Sequence, residues 1–201
     1  MAATAYYASV TMETESAQIA RALRRRDPEL LSRLIEQYQH RLFRYLVHFT
    51  GDPRLAEDIF QETWLRVLER GRQFDGRSDF AAWLLRLAHN LAVDHFRARR
   101  GVSLDQLTDP ERAVPLQVAD GRPNALQQLA AAEVRERVLT CLGGLPPPYR
   151  EVVALRFQEE MPLEEIATVA GIPLATVKSR LYRALALLGE RLEEVSEPKP
   201  A

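Results

Sequence analysis

The sequence predicts an all-α protein made of two small helical domains joined by a flexible linker. Three observations point there. Leu, Ala, Arg and Glu dominate while glycine is scarce, 9 in 201 residues, a mix that favours helix over strand. Apolar residues recur at i, i+3, i+4 and i+7 over long stretches on both sides of the middle of the chain. Between those stretches, residues 101–125 carry acids, prolines and glycines without a clear period, and so read as linker.

Each element has its own signal. Residues 1–26 lack sustained periodicity and are expected to be loose or disordered. They hold no basic segment followed by an apolar run, so no secretory leader is expected. No stretch approaches the roughly 18 apolar residues of a membrane span. The expectation is a soluble cytoplasmic protein without membrane insertion. The first domain, 27–100, opens at Asp27-Pro28, where Leu30, Leu31, Leu34, Ile35, Tyr38, Leu42, Tyr45 and Leu46 begin a helical repeat. Gly51-Asp52-Pro53 breaks it. A second helix over 54–69 buries Ala56, Ile59, Phe60, Thr63 and Val67. Residues 71–79 form a loop in which Ser78 or Asp79 can cap a third helix over 80–99. The second domain, 126–195, starts with a helix to Leu142, stopped by GGLPPP. Helices over 149–157, 163–170 and 174–195 follow, and residues 196–201 are disordered by composition.

Charge and cysteine usage narrow the function. The net charge of -1 gives no global reason for a polyanion partner, so a nucleic-acid surface has to be local. The single cysteine, Cys141, excludes an internal disulfide framework and a cysteine-cluster zinc site, and reads as a small buried residue.

The stretch PLEEIATVAGIPLATVKSRLYRAL has the pattern of a helix-turn-helix. Leu163, Ile166, Ala167 and Ala170 make one apolar face, Gly171 supplies the turn, and Pro173 starts the next helix. Val177, Leu181, Ala184, Leu185 and Leu188 are expected to face inward. Thr176, Ser179, Arg180 and Arg183 are expected on the outer face with Lys178 beside them. Between Ile172 and Leu188 there are three basic residues and no acid, a composition suited to a helix laid in a major groove. A plain helical hairpin with a solvated basic face is the alternative.

In the first domain, Asp58, Gln61, Glu62 and Leu65 share a helix face opposite the core stripe. Solvated surface explains them; Leu65 within a polar stripe favours a partner. The segment RLAHNLAVDHFRARR, 86–100, raises the choice between a metal site and a nucleic-acid face. His89 and His95 are six residues apart and project about 120° from each other, and His89 and Asp94 diverge by roughly 140°, so a single-helix metal site fails on geometry. Trp83, Arg86, Asn90, Asp94 and Arg97 do align, beside a loop holding Phe74, Arg77, Ser78 and Phe80. Aromatics, arginines and short polar groups together suit a single-stranded nucleic acid, although Trp83 and Phe80 also fit a core.

AEDIFQETWLRV, FDGRSDFAAWLLRLAHNLAVDHFRARR and LPPPYREVVALRFQEEMPLEEIATVAGIPLATVKSRLYRAL together resemble the extracytoplasmic-function sigma factors of bacterial RNA polymerase, over about residues 27–192. The resemblance implies a region 2 helical bundle and a region 4 helix-turn-helix. It assigns Asp58, Gln61, Glu62 and Leu65 to the β′ clamp helices of core polymerase. Arg77, Ser78, Phe80, Trp83, Arg86, Asn90, Asp94 and Arg97 would melt the −10 element and hold flipped non-template bases. Leu174, Ala175, Thr176, Lys178, Ser179, Arg180 and Arg183 would read the −35 duplex while region 4 rests on the β flap. The linker would run near the RNA exit path, and an anti-sigma factor would grip the same surfaces. Family members commonly carry glycine where this chain has Ala175, which bears on −35 preference. The resemblance implies no catalytic residue, metal or cofactor. A stand-alone helix-turn-helix regulator is the alternative, and it leaves the Trp83–Arg97 face unexplained.

Overall fold

The computed structural model describes residues 15–100 and 138–196, all of whose regular elements are helical. The 101–125 linker, the start of the helix expected from 126 and the tail from 197 lie outside the described residues. Helix α1 (15–25) is followed by α2 (Pro28–Thr50), α3 (Pro53–Arg70), a 3-10 turn at Gly71–Gln73 and α4 (Phe80–Arg100). The second unit holds α5 (138–143), α6 (Pro147–Val153) with a π-turn at Ala154–Gln158, α7 (Leu163–Ala170) and α8 (Leu174–Ser196).

The helix starts follow from capping chemistry. Asp27 Oδ1 accepts from the backbone N–H of Glu29 (3.0 Å) and Leu30 (3.4 Å), and Asp52 Oδ1 does the same for Arg54 (3.0 Å) and Leu55 (3.3 Å). In both cases proline occupies the first helical position, where no N–H is needed. Gly51 ends α2 with φ 71°, a left-handed conformation that closes the last turn.

Helix α1 corrects, for residues 15–25, the expectation that residues up to 26 are loose; residues 1–14 lie outside the described residues. Ile19, Ala20 and Leu23 are buried and hold α1 against the body. Ile19 and Leu23 are the large apolar side chains in these eleven residues, too few for a helix this short to hold alone, so tertiary packing supports it.

The two units are docked. One apolar core runs from Tyr45, Phe49, Ile59, Phe80, Leu85 and Phe96 into Val152, Leu155, Ile166, Val169 and Val177 of the second unit. A smaller cluster of Leu145, Tyr149, Val153 and Ala184 belongs to the second unit alone. The seam between the units carries buried charge. Glu151 is fully buried, and its Oε1 accepts from Tyr45 Oη (2.7 Å) and lies 2.5 Å from His89 Nδ1. Glu159, also buried, pairs with Arg41 and, at 3.5 Å, with Arg44. Arg150 donates to the carbonyls of Phe49 (3.4 Å), Thr50 (3.2 Å) and Gly143 (3.0 Å), so a cation from α6 satisfies the C-terminal end of α2.

Candidate nucleic-acid interface

The loop before α4 is built by short-range hydrogen bonds. Asp75 Oδ1 accepts from Arg77 N (2.9 Å), and Asp79 Oδ1 accepts from Ala81 N (2.7 Å) and Ala82 N (3.2 Å), which makes Asp79 the cap of α4. Gly76 has φ 78°, and a Cβ there would stand 2.9 Å from the Ser16 carbonyl oxygen, so both backbone conformation and the approach of α1 require glycine. Arg77 and Ser78 project outward as a result.

Behind the loop the aromatic side chains pack on one another. Phe80 meets Tyr38 at 5.2 Å, Phe74 at 5.5 Å and Trp83 at 5.7 Å between ring centroids. Phe80 is only 1% exposed, which corrects its assignment to a DNA-facing set: its ring is enclosed by Tyr38 and Phe74 and has no free face for a base. Trp83 stays half-buried at the edge of this cluster. Arg86, Asn90, Asp94 and Arg97 are exposed along one face of α4, with Arg97 and Asp94 3.8 Å apart.

The two histidines of α4 go elsewhere. His89 is buried, stacked on Phe49 with parallel rings 5.6 Å apart, and bonded to Glu151 across the seam. His95 reaches Glu62 Oε2 of α3 at 3.2 Å. That contact comes first among the causes that hold the Glu62 carboxyl below the usual carboxylate range, with a further bond from Arg66. Among the described residues no three His, Cys, Asp or Glu side chains converge as a metal site would require.

On α3, Asp58, Gln61 and Leu65 are exposed and Glu62 is half-buried, so the four residues do share an outward stripe. Leu68 extends it. Leu65 and Leu68 are 58% and 51% exposed, an apolar pair three residues apart on a polar face. Sequence reasoning missed Leu68, although its place one turn beyond Leu65 and off the core stripe was the available signal.

In the second unit, Gly171 ends α7 at φ 65°, its N–H bonded to the Ala167 carbonyl. Pro173 O then accepts from Thr176 N (2.9 Å) and Val177 N (3.1 Å) to start α8. Val177 is fully buried in the angle between the helices. Ala175, Lys178, Ser179 and Arg183 are exposed, while Leu174 and Thr176 are half-buried. Arg180 departs from the outer-face expectation, at 5% exposure. It lies three residues after Val177 and four before Ala184, within about 60° of both, and therefore belongs to the buried sector. Tyr182, unassigned by sequence reasoning, is 73% exposed between Lys178, Ser179 and Arg183. Leu185 is also exposed rather than inward.

An all-α chain with a helix-turn-helix and a separate arginine- and amide-bearing helix face is of the DNA-binding transcription-factor class. It belongs to the sigma-70 family, in the extracytoplasmic-function group. The sigma-70 region 2 model matches residues 34–102 and the sigma-70 region 4 model matches residues 135–188. The chain is 32% identical to the ECF RNA polymerase sigma factor SigL of Mycobacterium tuberculosis over 83% of its own length and 90% of that protein. It is also 32% identical to the ECF RNA polymerase sigma factor BldN of Streptomyces coelicolor, over 84% of this chain but only 62% of BldN. The fold is shared with the sigma factor RpoE of Bartonella quintana, solved in complex with the anti-sigma factor NepR (TM-score 0.61, 21% identity, 81% of this chain and 96% of that one). It is shared as well with CnrH, solved in complex with the cytosolic domain of CnrY (TM-score 0.60, 23% identity, 92% and 98%).

Proposed function

We propose that the chain is a promoter-specificity subunit without catalytic activity of its own, acting in the cytoplasm on core RNA polymerase. The observation that carries this is the presence in one chain of two unlike exposed polar faces, each suited to a different form of DNA. One is the Arg77, Ser78, Trp83, Arg86, Asn90, Asp94, Arg97 surface, where a half-buried aromatic edge and a row of polar groups suit unpaired bases of the −10 element. The other is the Ala175, Lys178, Ser179, Tyr182, Arg183 face, free of acids and suited to the −35 major groove. Leu174 and Thr176, at the groove-facing start of α8, complete it. The Asp58, Gln61, Glu62, Leu65 and Leu68 stripe is assigned to the β′ clamp helices, its two exposed leucines supplying apolar area. The second unit would rest on the β flap, and an anti-sigma factor would compete for these faces; the sigma factor RpoE, of the same fold, is solved in complex with the anti-sigma factor NepR.

Core association and DNA reading separate experimentally. Asp58→Arg with Glu62→Arg should lower affinity for core polymerase at least tenfold while sparing helical content, measured by titration of labelled core and by circular dichroism. Arg183→Ala should leave core affinity alone and weaken −35-dependent binding by about 1–3 kcal/mol. Unchanged core binding in the double variant would show that the wrong face had been assigned.

A further inference from the structure

Beside the Arg77-Ser78 loop stands a concentration of arginine of which only Arg77 belongs to the surfaces proposed above. Residues 15–26 hold Arg21, Arg24, Arg25 and Arg26 against one acid, Glu15; residues 70–77 hold Arg70, Arg72 and Arg77 against one, Asp75. The fold brings the two segments together. A Cβ on Gly71 would meet the Leu23 side chain at 3.2 Å, and one on Gly76 would meet Ser16, Ala17 and Ala20 at 2.9 to 3.1 Å, so α1 lies along the 71–76 segment. With Ser16, Ile19, Ala20 and Leu23 turned inward, Arg21, Arg24 and Arg25 are left exposed, as are Arg70, Arg72 and Arg77. Among the described residues only Arg77 of these six has an acidic partner, Asp75 at 3.9 Å. In a chain of net charge -1, this is strong local segregation of positive charge.

We infer that the exposed arginines of α1, with Arg72, form a phosphate track that receives the DNA strand as it leaves the Arg77-Ser78 loop. This rests on the assignment of that loop and α4 to unpaired promoter DNA. Two features select a nucleic-acid strand as the occupant. The track is continuous with the loop through the α1–Gly76 contact, and no large hydrophobic side chain of residues 15–26 or 70–77 is exposed beside its guanidinium groups, so the patch offers charge for a phosphate backbone without the apolar core of a protein interface. Such contacts position a strand without reading its sequence.

The test is a salt titration of the complete holoenzyme, this chain with core polymerase, on a fork-junction promoter whose −10 strand is unpaired. The variant is Arg21→Gln with Arg24→Gln and Arg25→Gln, all exposed, so the fold is retained. Three lost phosphate contacts should flatten the slope of log K against log salt by about 2, at roughly 0.7 per contact on a single strand, without altering sequence preference. Asn90→Ala serves as the comparison and should relax −10 preference with little change in slope. An unchanged slope in the arginine variant overturns the phosphate track, even where Asn90→Ala behaves as expected and the loop assignment stands. Should Asn90→Ala also have no effect on −10 preference, the loop assignment itself has failed. A variant that keeps its DNA slope but loses affinity for core polymerase or for an acidic peptide likewise overturns the track and makes the patch a protein surface.

Discussion

The two units of the molecule differ in how they are held together. The first owns an aromatic core in which Tyr45, Phe49, Phe74 and Phe80 are among the largest fully buried side chains. Among the described residues the second has a small cluster of its own, Leu145, Tyr149, Val153 and Ala184, and covers Val152, Leu155, Ile166, Val169 and Val177 by docking on its neighbour. The docking surface is also where Glu151, Arg150, Glu159 and His89 are buried. Apolar burial favours the docked form, while burying charge costs desolvation that only complete pairing offsets. A helix-turn-helix held this way has a stability that depends on its neighbour, and a seam whose polar groups are sensitive to loss of any one partner.

The largest test of that contrast is Phe49→Ala. Phe49 is fully buried, edge-on to Phe96 and stacked on His89, so it supports both the first core and the seam. Its loss should cost about 3–5 kcal/mol in urea unfolding. A cost below about 1 kcal/mol would contradict a shared core.

Next is Glu151→Ala, which strands the Tyr45 hydroxyl and His89 in the seam. An expected loss of about 3 kcal/mol should be largely recovered when Glu151→Leu is combined with Tyr45→Phe and His89→Leu, because an apolar set has no unmet partners. Failure to recover would mean that the polar cluster contributes more than mutual satisfaction.

A smaller effect concerns pH. Burial first, then the charges of Arg44 and Arg150, hold the His48 imidazole below its ordinary value of 6.5. Its unfolded form therefore binds the proton more readily. The associated stability is complete above about pH 6.5 and is lost as pH falls from there through the lower folded value. Urea midpoints at pH 7.5 and 5.5 should show a smaller acid-side drop in His48→Gln than in the parent chain. An equal drop would place the acid sensitivity elsewhere.

Smallest of all, on stability, are outward substitutions. Leu68→Ala should change unfolding free energy by no more than about 0.5 kcal/mol yet weaken core polymerase association. A large stability loss would show that Leu68 is part of a core.

Much of this organisation was legible in the residues. Asp27-Pro28, Asp52-Pro53, Gly171 and Pro173 carry local chemistry that sets helix ends before any tertiary contact forms, and α2, α3, α7 and α8 begin and end within two residues of expectation. The outward stripes of α3 and α4 were legible for the same reason, since a 3.6-residue period separates faces. What was hidden depends on contacts between distant segments. Helix α1 is short and arginine-rich, and its site is completed by the main core and by close approach to Gly71 and Gly76. Glu151 reads as surface until Tyr45 and His89, 106 and 62 residues away in sequence, meet it. Phe80 was assigned by residue type and Arg180 by an outer-face reading of α8, and burial decided against both. His89, which first suggests a metal ligand, is a seam residue.

The most direct measurement is initiation by core polymerase reconstituted with this chain on a library randomised across the −10 and −35 positions. Selection of discrete −10 and −35 sequences, with −10 preference relaxed by Asn90→Ala and −35 preference relaxed by Tyr182→Ala, is the expected result. Absence of initiation from any discrete sequence, together with tight duplex binding by the chain alone, would contradict it and make the protein a stand-alone regulator.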